Sequence, residues 1–360
     1  MPPAGDSKER VTQIMTVNNM NTFHSLATAA ALLASFALSI TTLAQGSLTP
    51  PPGPITPVMK SLDQIEARTP LIPGAPGVTH ANGLYTLTEP GSYYLTGNLV
   101  RTNTAGGALI RFAANNITLD LNGFTLFGTN GNMGVAIVGG GFGYRVHNGH
   151  IVGGTTQTNG VFTPAGFHSG IELFSGSVNR GTDSLVSGVT VRGVRYRGIQ
   201  ASLNSIVKDC VVDTTVDAGI WAGSVSDCRA INAGEDAILA ATVLNCVGKS
   251  VGAGDGISYY QDEPSVVQNS VGEAVSGTGI YAHQVMNSRG KSVSGVGIYA
   301  NSNAAHCSGE SASGSYGVFV TGTASFCRGS RPGGIALQAA IAIGCSGGTI
   351  NSTQKHLGTP

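Results

Sequence analysis

Acidic side chains are scarce in this 360-residue chain, with only 19 Asp and Glu in total, so the places where they recur in step stand out. Asp217 and Glu235 each stand three residues ahead of an isoleucine, Ile220 and Ile238, while Asp236 and Asp255 stand two ahead of Ile238 and Ile257. If those isoleucines are equivalent points of a repeat, the carboxylates of each pair face one another from neighbouring units. Like charges so placed repel unless a proton or a cation sits between them. An acid–base pair or a Ca²⁺ site arises in that way. The stretch "SYYQDEP" (258–264) adds Asp262 and Glu263 beside Tyr259 and Tyr260. Asp236, Asp255, Asp262 and Glu263 are therefore the candidate catalytic groups. The same residues also suit solvated turns, and the composition leaves both readings open.

A second set of residues suits binding. In "GIYA", which occurs at 279–282 and 297–300, strand alternation turns Ile280 and Ala282 to one side and Tyr281 to the other. Following that outward phase through the chain gives Gln200, Trp221, Leu239, Ser258, Tyr281, Tyr299, Phe319 and Ala336. Trp221, Tyr281, Tyr299 and Phe319, with Tyr259 and Tyr260 close by, form a candidate carbohydrate-binding strip, because flat rings at strand spacing suit the apolar faces of a sugar chain. A covering loop or self-association would use the same rings. Arg192, Arg195 and Arg197 flank Tyr196 in "VRGVRYRG", where they would be solvated or meet an acidic ligand. His147, His150 and His168 surround the insertion "TTQTNGVFTPAGFHSG", and acid–base work by any of them needs a partner that the sequence does not identify.

Positioning these residues requires a repeating scaffold, and the repeat is legible. The dipeptides Gly170-Ile171, Gly198-Ile199, Gly219-Ile220, Ala237-Ile238, Gly256-Ile257, Gly279-Ile280, Gly297-Ile298, Gly317-Val318 and Gly334-Ile335 recur at intervals of 17 to 28 residues. Cys210, Cys228, Cys246, Ser270, Ser288, Cys307, Cys327 and Cys345 keep step with them. Two landmarks drifting together mean one structural unit per period, and a period of roughly 20 residues built from short strands and turns is a coil of a parallel β-helix. Asp209, Asp227, Asn245, Asn269, Asn287 and His306, each just before a landmark, should stack at a turn. The six cysteines share one phase, so they are expected as stacked, buried free thiols, since in-register side chains point the same way and make poor disulfides. No Cys-x-x-Cys or Cys/His pairing appears, so no metal site is assigned and Ca²⁺ is the only cofactor to consider.

The phrases "PGSYYLTGNL", "NITLDLNGFTLFG" and "VHNGHIVGG", with the repeated Cys and Gly-Ile text, resemble the right-handed parallel β-helix proteins of the pectate-lyase-like superfamily, in their secreted bacterial form. The resemblance implies an all-β, right-handed parallel β-helix of about ten coils with a short N-terminal capping helix. It implies no catalytic residue: the calcium-binding and arginine motifs of the lyases and the Asp-Asp and Gly-His-Gly motifs of the hydrolases are not intact, and "RGSRPGG" holds Arg328 and Arg331 in the wrong order.

Composition and address agree with export. The apolar run at 26–40, followed by Thr42 and Ala44, reads as a signal peptide over 1–44, and is too short for a membrane anchor. A proline-rich linker (45–58), a cap segment (59–80) holding "SLDQIEA", the helix (81–347) and a tail (348–360) complete the expected plan. Lys+Arg equals Asp+Glu at 19 each, which removes the general attraction a nucleic-acid or membrane-surface partner needs. A polysaccharide or cell-surface glycan is the expected partner, by binding alone or by lyase or hydrolase action, and a structural or adhesive role with oligomerisation is the alternative.

Overall fold

The computed structural model describes residues 68–102, 106–174, 183–260 and 264–356, all within the compact unit that begins at Ser61. The signal peptide, the linker and the helix expected over 61–67 lie outside those residues. Among the described residues the chain is all β, with no helix: 31 strands join one sheet, and Thr156–Thr158 pairs with Val161–Thr163 as a separate hairpin. Apart from that hairpin and the antiparallel pair Val78–Ala81 with Leu84–Leu87, the pairings are parallel. Each strand bonds to its equivalent one repeat later, which is the connectivity of a solenoid.

Register explains the repeat text directly. Ile137, Ile171, Ile199, Ile220, Ile238, Ile257, Ile280, Ile298, Val318 and Leu337 are successive register partners, and all are fully buried. Stacked β-branched side chains form one continuous apolar column, each contributing about 1.5–3 kcal/mol by leaving water. The opposite inner column narrows along the chain, from Val212 through Ala230 to Gly248, Gly272, Gly290, Gly309 and Gly329. A methyl group at Gly272 would collide with the carbonyl oxygen of Gly279, so the backbone on either side of the coil touches there.

The corner before that column is left-handed throughout. Asp209, Asp227, Asn245, Asn269, Asn287, His306 and Phe326 have φ between 48° and 55°, and Gly188 and Gly344 continue the column with φ of 61° and 59°. Asn and Asp tolerate this region best. The stacking expected from the sequence is present: Asn245 donates through Nδ2 to Asp227 (3.0 Å), and Asn269 to Asn245 (3.3 Å). His306 and Phe326 continue the column as parallel rings 5.2 Å apart.

The cysteines follow the corner, and all six are free thiols, five of them buried and Cys345 partly so. The Cys228 thiol donates to the carbonyl of Ser226, two residues back, and Cys210, Cys246, Cys307, Cys327 and Cys345 repeat the pattern. Ser270 and Ser288 occupy the same place and donate to Gln268 and Met286 at 2.7 and 2.6 Å. The shared requirement is a small buried donor that satisfies the carbonyl at a tight corner.

The sequence phase slips once. Val318 pairs with Leu337 and Phe319 with Gln338, so the last in-phase dipeptide is Ala336-Leu337, and Gly334-Ile335 precedes it. Ala336 is accordingly fully buried, and Gln338 takes the outward place. The ladder also runs past residue 347, because Thr349–His356 pairs with Ile335–Ile343.

The corner makes a direct prediction. Cys228→Ser keeps the donor and should change unfolding stability by less than about 1 kcal/mol, whereas Cys228→Val leaves the Ser226 carbonyl only the Asp209 N–H and overfills the site, costing about 1–3 kcal/mol. Chemical denaturation of the two variants measures the difference. The neighbouring thiol Cys210, and after it burial, hold the Cys228 thiol up at about 12 against the opposing contact with Cys246, so the folded protein should resist alkylation there.

Candidate functional site

The outward side of the Ile column is a single file of side chains: Arg111, Val138, Glu172, Gln200, Trp221, Leu239, Ser258, then Tyr281, Tyr299, Phe319 and Gln338. It is held rigid because each neighbour's backbone is fixed by the ladder below and above. Three groupings along this file carry chemistry.

The aromatic grouping lies toward the C-terminal end. Tyr281 and Tyr299 have ring centres 5.0 Å apart, Tyr299 and Phe319 4.7 Å, and Tyr259 joins Tyr281 at 5.0 Å. Tyr281, Tyr299 and Phe319 are half-buried. The rings do not lie flat as the sequence pattern suggested. Tyr281 and Tyr299 meet at 82° and Tyr259 and Tyr281 at 62°, the edge-to-face contact that ring quadrupoles favour when neighbours sit this close. Polar groups border them: Asn301 donates to the hydroxyl of Tyr259 (2.6 Å), and His283 packs edge-on against the same ring, with Nδ1 3.2 Å from the Ser265 hydroxyl. Tyr259 is buried, and burial with the adjoining Tyr281 hydroxyl pushes its phenol up to about 12.

The central grouping is a pair of acids. Asp236 accepts the backbone N–H of Asp255 (2.7 Å), and Asp255 accepts that of Thr278 (2.5 Å), so the two carboxyls stand at equivalent turns of adjacent repeats, as the spacing predicted. With Leu239, Ser258, Tyr259, Tyr260 and Tyr281 they line a cavity of about 460 Å³. Burial pushes the Asp255 carboxyl up to about 7, and the Asp236 charge adds to the shift against the opposing hydrogen bond from Thr278. Burial and the charges of Glu235 and Asp217 also raise Asp236. Asp255 therefore exchanges its proton near neutral pH, with the Asp236 charge beside it. Glu235 itself is exposed. Asp262 and Glu263 lie outside the described residues.

The third grouping differs from expectation. Arg197 is held in place: its Nε is 3.4 Å from Asp217 Oδ2, and its guanidinium lies over Tyr196 (4.6 Å) and over Trp221 (4.2 Å). Tyr260 stacks on Trp221 from the loop side at 6.0 Å. Trp221 is consequently only 9% exposed, and this part of the strip is covered by the chain's own residues. Arg192 makes an exposed pair with Asp213 (3.5 Å), and the Arg195 Nε is buried.

The histidine insertion supplies the partner missing from the sequence. His168 packs against Tyr196 with ring centres 4.9 Å apart and the planes tilted by 37°, and its Nδ1 stands 3.7 Å from Glu172 Oε1 and 3.1 Å from the Ser169 hydroxyl. Burial alone would push the Glu172 carboxyl up. Hydrogen bonds from His168 and Ser169 and the charges of His168 and Arg197 outweigh it and hold the group below the ordinary range. Glu172 follows Ile171 as Gln200 follows Ile199, a phase match that would have placed it in the outward file. His147 pairs with Asp120 (3.6 Å), and His150 is exposed on the same strand, away from this file. The hairpin in the insertion stands beside the acids, with the Phe162 ring against Gly234.

Among the described residues no group of three or more His, Cys, Asp or Glu side chains is arranged to hold a metal ion.

The raised Asp255 carboxyl has a sign that can be measured. The folded state favours the neutral acid, so its contribution to stability is complete below about pH 4 and is lost as pH rises through 7. Asp255→Asn keeps the acceptor for Thr278 and removes the titration. Its stability relative to the parent should be level at pH 4 and rise to a plateau above pH 7, read by chemical denaturation across that range.

Neither a protein-family model nor a curated protein matches this chain.

Proposed function

We propose that this chain is a secreted carbohydrate-binding protein, a right-handed parallel β-helix of about ten coils related to the pectate-lyase-like superfamily. The observation that carries the reading is the run Tyr259, Tyr281, Tyr299 and Phe319, with centre-to-centre steps of 4.7–5.0 Å on a rigid sheet and with Asn301 and Gln338 at its margins. Half-buried rings bordered by amide groups offer both apolar contact to sugar C–H faces and hydrogen bonds to hydroxyls. The apolar run and small-residue cleavage pattern at 26–44 support export.

One observation favours a second reading. Asp255, held near pH 7 in a cavity that borders the tyrosines, has the protonation behaviour of a general acid for glycosidic bond cleavage, with Asp236 as the coupled carboxylate. A polysaccharide hydrolase or lyase acting on an acidic glycan would use that pair. A structural or adhesive surface protein would instead use the rings for self-association.

A glycan-array screen run beside reducing-end and unsaturated-uronate assays separates these readings. Tyr281→Ala and Tyr299→Ala should each lower glycan affinity about tenfold, or 1.4 kcal/mol. Parent-like binding by both variants removes the strip as the site. Product release that Asp255→Ala abolishes establishes catalysis. Concentration-dependent assembly in sedimentation, lost with the same tyrosines and without glycan affinity, establishes the adhesive role.

A further inference from the structure

The outward file continues past Glu172 to Val138, and here it borders a depression of different character. Met133, Val135, Val138 and the Gly106–Gly107 backbone line a cavity of about 350 Å³ that is almost wholly apolar, with His168 and Asn132 as its polar edge. Val138 pairs in register with Glu172, so the depression adjoins the His168–Glu172 pair directly.

The chemistry of that edge is determined by Glu172. A carboxylate held ionised can only accept, so in the neutral imidazole the proton belongs on Nδ1, which faces Glu172 and Ser169. Nε2 is left as a hydrogen-bond acceptor. The tilted contact with Tyr196 supports one side of the ring, and the side chain is 45% exposed, so a ligand can reach it. An acceptor beside an apolar hollow is complementary to a group that carries a methyl and a hydroxyl close together. An ordinary hexose places a hydroxymethyl there, which would lose a hydrogen bond to water on entering.

We propose that this depression is a subsite for a 6-deoxyhexose, whose C6 methyl sits against Met133 and Val138 while a ring hydroxyl donates to His168 Nε2. The proposal rests on the carbohydrate reading above and names the sugar class that the N-terminal part of the same face selects.

The test uses matched monosaccharides that differ only in methyl against hydroxymethyl: L-fucose with L-galactose, and L-rhamnose with L-mannose. Saturation-transfer NMR on the intact protein should show the strongest transfer to the C6 methyl protons. Titration should favour each 6-deoxy sugar about tenfold over its partner, the usual discrimination for one buried apolar group. Val138→Asp should erase the preference. His168→Leu, at a half-exposed position, should weaken both members of each pair while keeping the methyl preference. Equal affinity within both pairs for the parent protein overturns the proposal without recourse to any variant, and so does a preference that survives a folded Val138→Asp. The two readings fail separately. If Tyr281→Ala and Tyr299→Ala leave oligosaccharide binding intact while the methyl preference holds, the aromatic strip falls and the subsite stands; oligosaccharide binding that needs the tyrosines but shows no methyl preference has the opposite meaning.

Discussion

Parallel register between successive repeats is the constraint on which everything else in this molecule depends. Once the backbone of Ile220 is bonded in step with that of Ile238, every other residue of the repeat is committed to a column. Columns that face inward must be apolar or satisfy their own polar groups, as the Ile and Cys columns do. Those that face outward are free to vary, and here they vary from Arg111 through Glu172 and Trp221 to Phe319 without disturbing the ladder. A solenoid thus separates what folds from what functions more cleanly than a compact globule, whose core and site share side chains.

That separation also decides what can be read from residues alone. The Gly-Ile pairs, the landmark cysteines and the Asn and Asp corner are legible because each column needs one kind of residue, and small, β-branched and αL-tolerant residues are distinctive. The phase was lost at Gly334 because "RPGG" adds residues at a turn, and no local feature distinguishes Gly334-Ile335 from the true in-phase pair Ala336-Leu337. Strand alternation assigned Tyr281, Tyr299 and Phe319 to one face, as found, but carries no information about side-chain torsions, so the edge-to-face packing of Tyr281 and Tyr299 was out of reach. Trp221 and Arg197 show a further limit. Their mutual stacking and the cover from Tyr260 bring together three separate repeats, and period alone describes only what stacks directly above and below.

Electrostatics along the outward face are set locally. Glu172 and Asp255 are both partly buried carboxyls, yet one is held ionised by His168, Ser169 and Arg197 while the other keeps its proton to near neutral pH because burial, and after it the Asp236 charge, disfavours the ionised form. Opposite protonation habits on one face let different stretches of it attract different groups. Overall charge balance hides this, since the excess of acid near Asp236 is matched by arginines elsewhere.

The left-handed corner governs how such a chain can lengthen. From Val189 to Leu337 the next in-phase dipeptide begins nine or ten positions after the residue that follows the corner, as from Cys210 to Gly219 or from Cys327 to Ala336, and the final coil shortens this arc to four, from Cys345 to Thr349. The stretch between a dipeptide and the following corner is elastic instead, reaching thirteen residues from Ile257 to Ser270, where the Tyr259–Tyr260 loop is inserted. Over these coils growth is taken up on one arc, whereas the preceding coil carries its hairpin insertion, Thr156–Thr163, on the other, between the corner at Asn148 and Gly170. The Tyr259–Tyr260 insertion thus sits beside the outward file, and the arc of constant length acts as a ruler that keeps the repeats from Val189 to Leu337 in time.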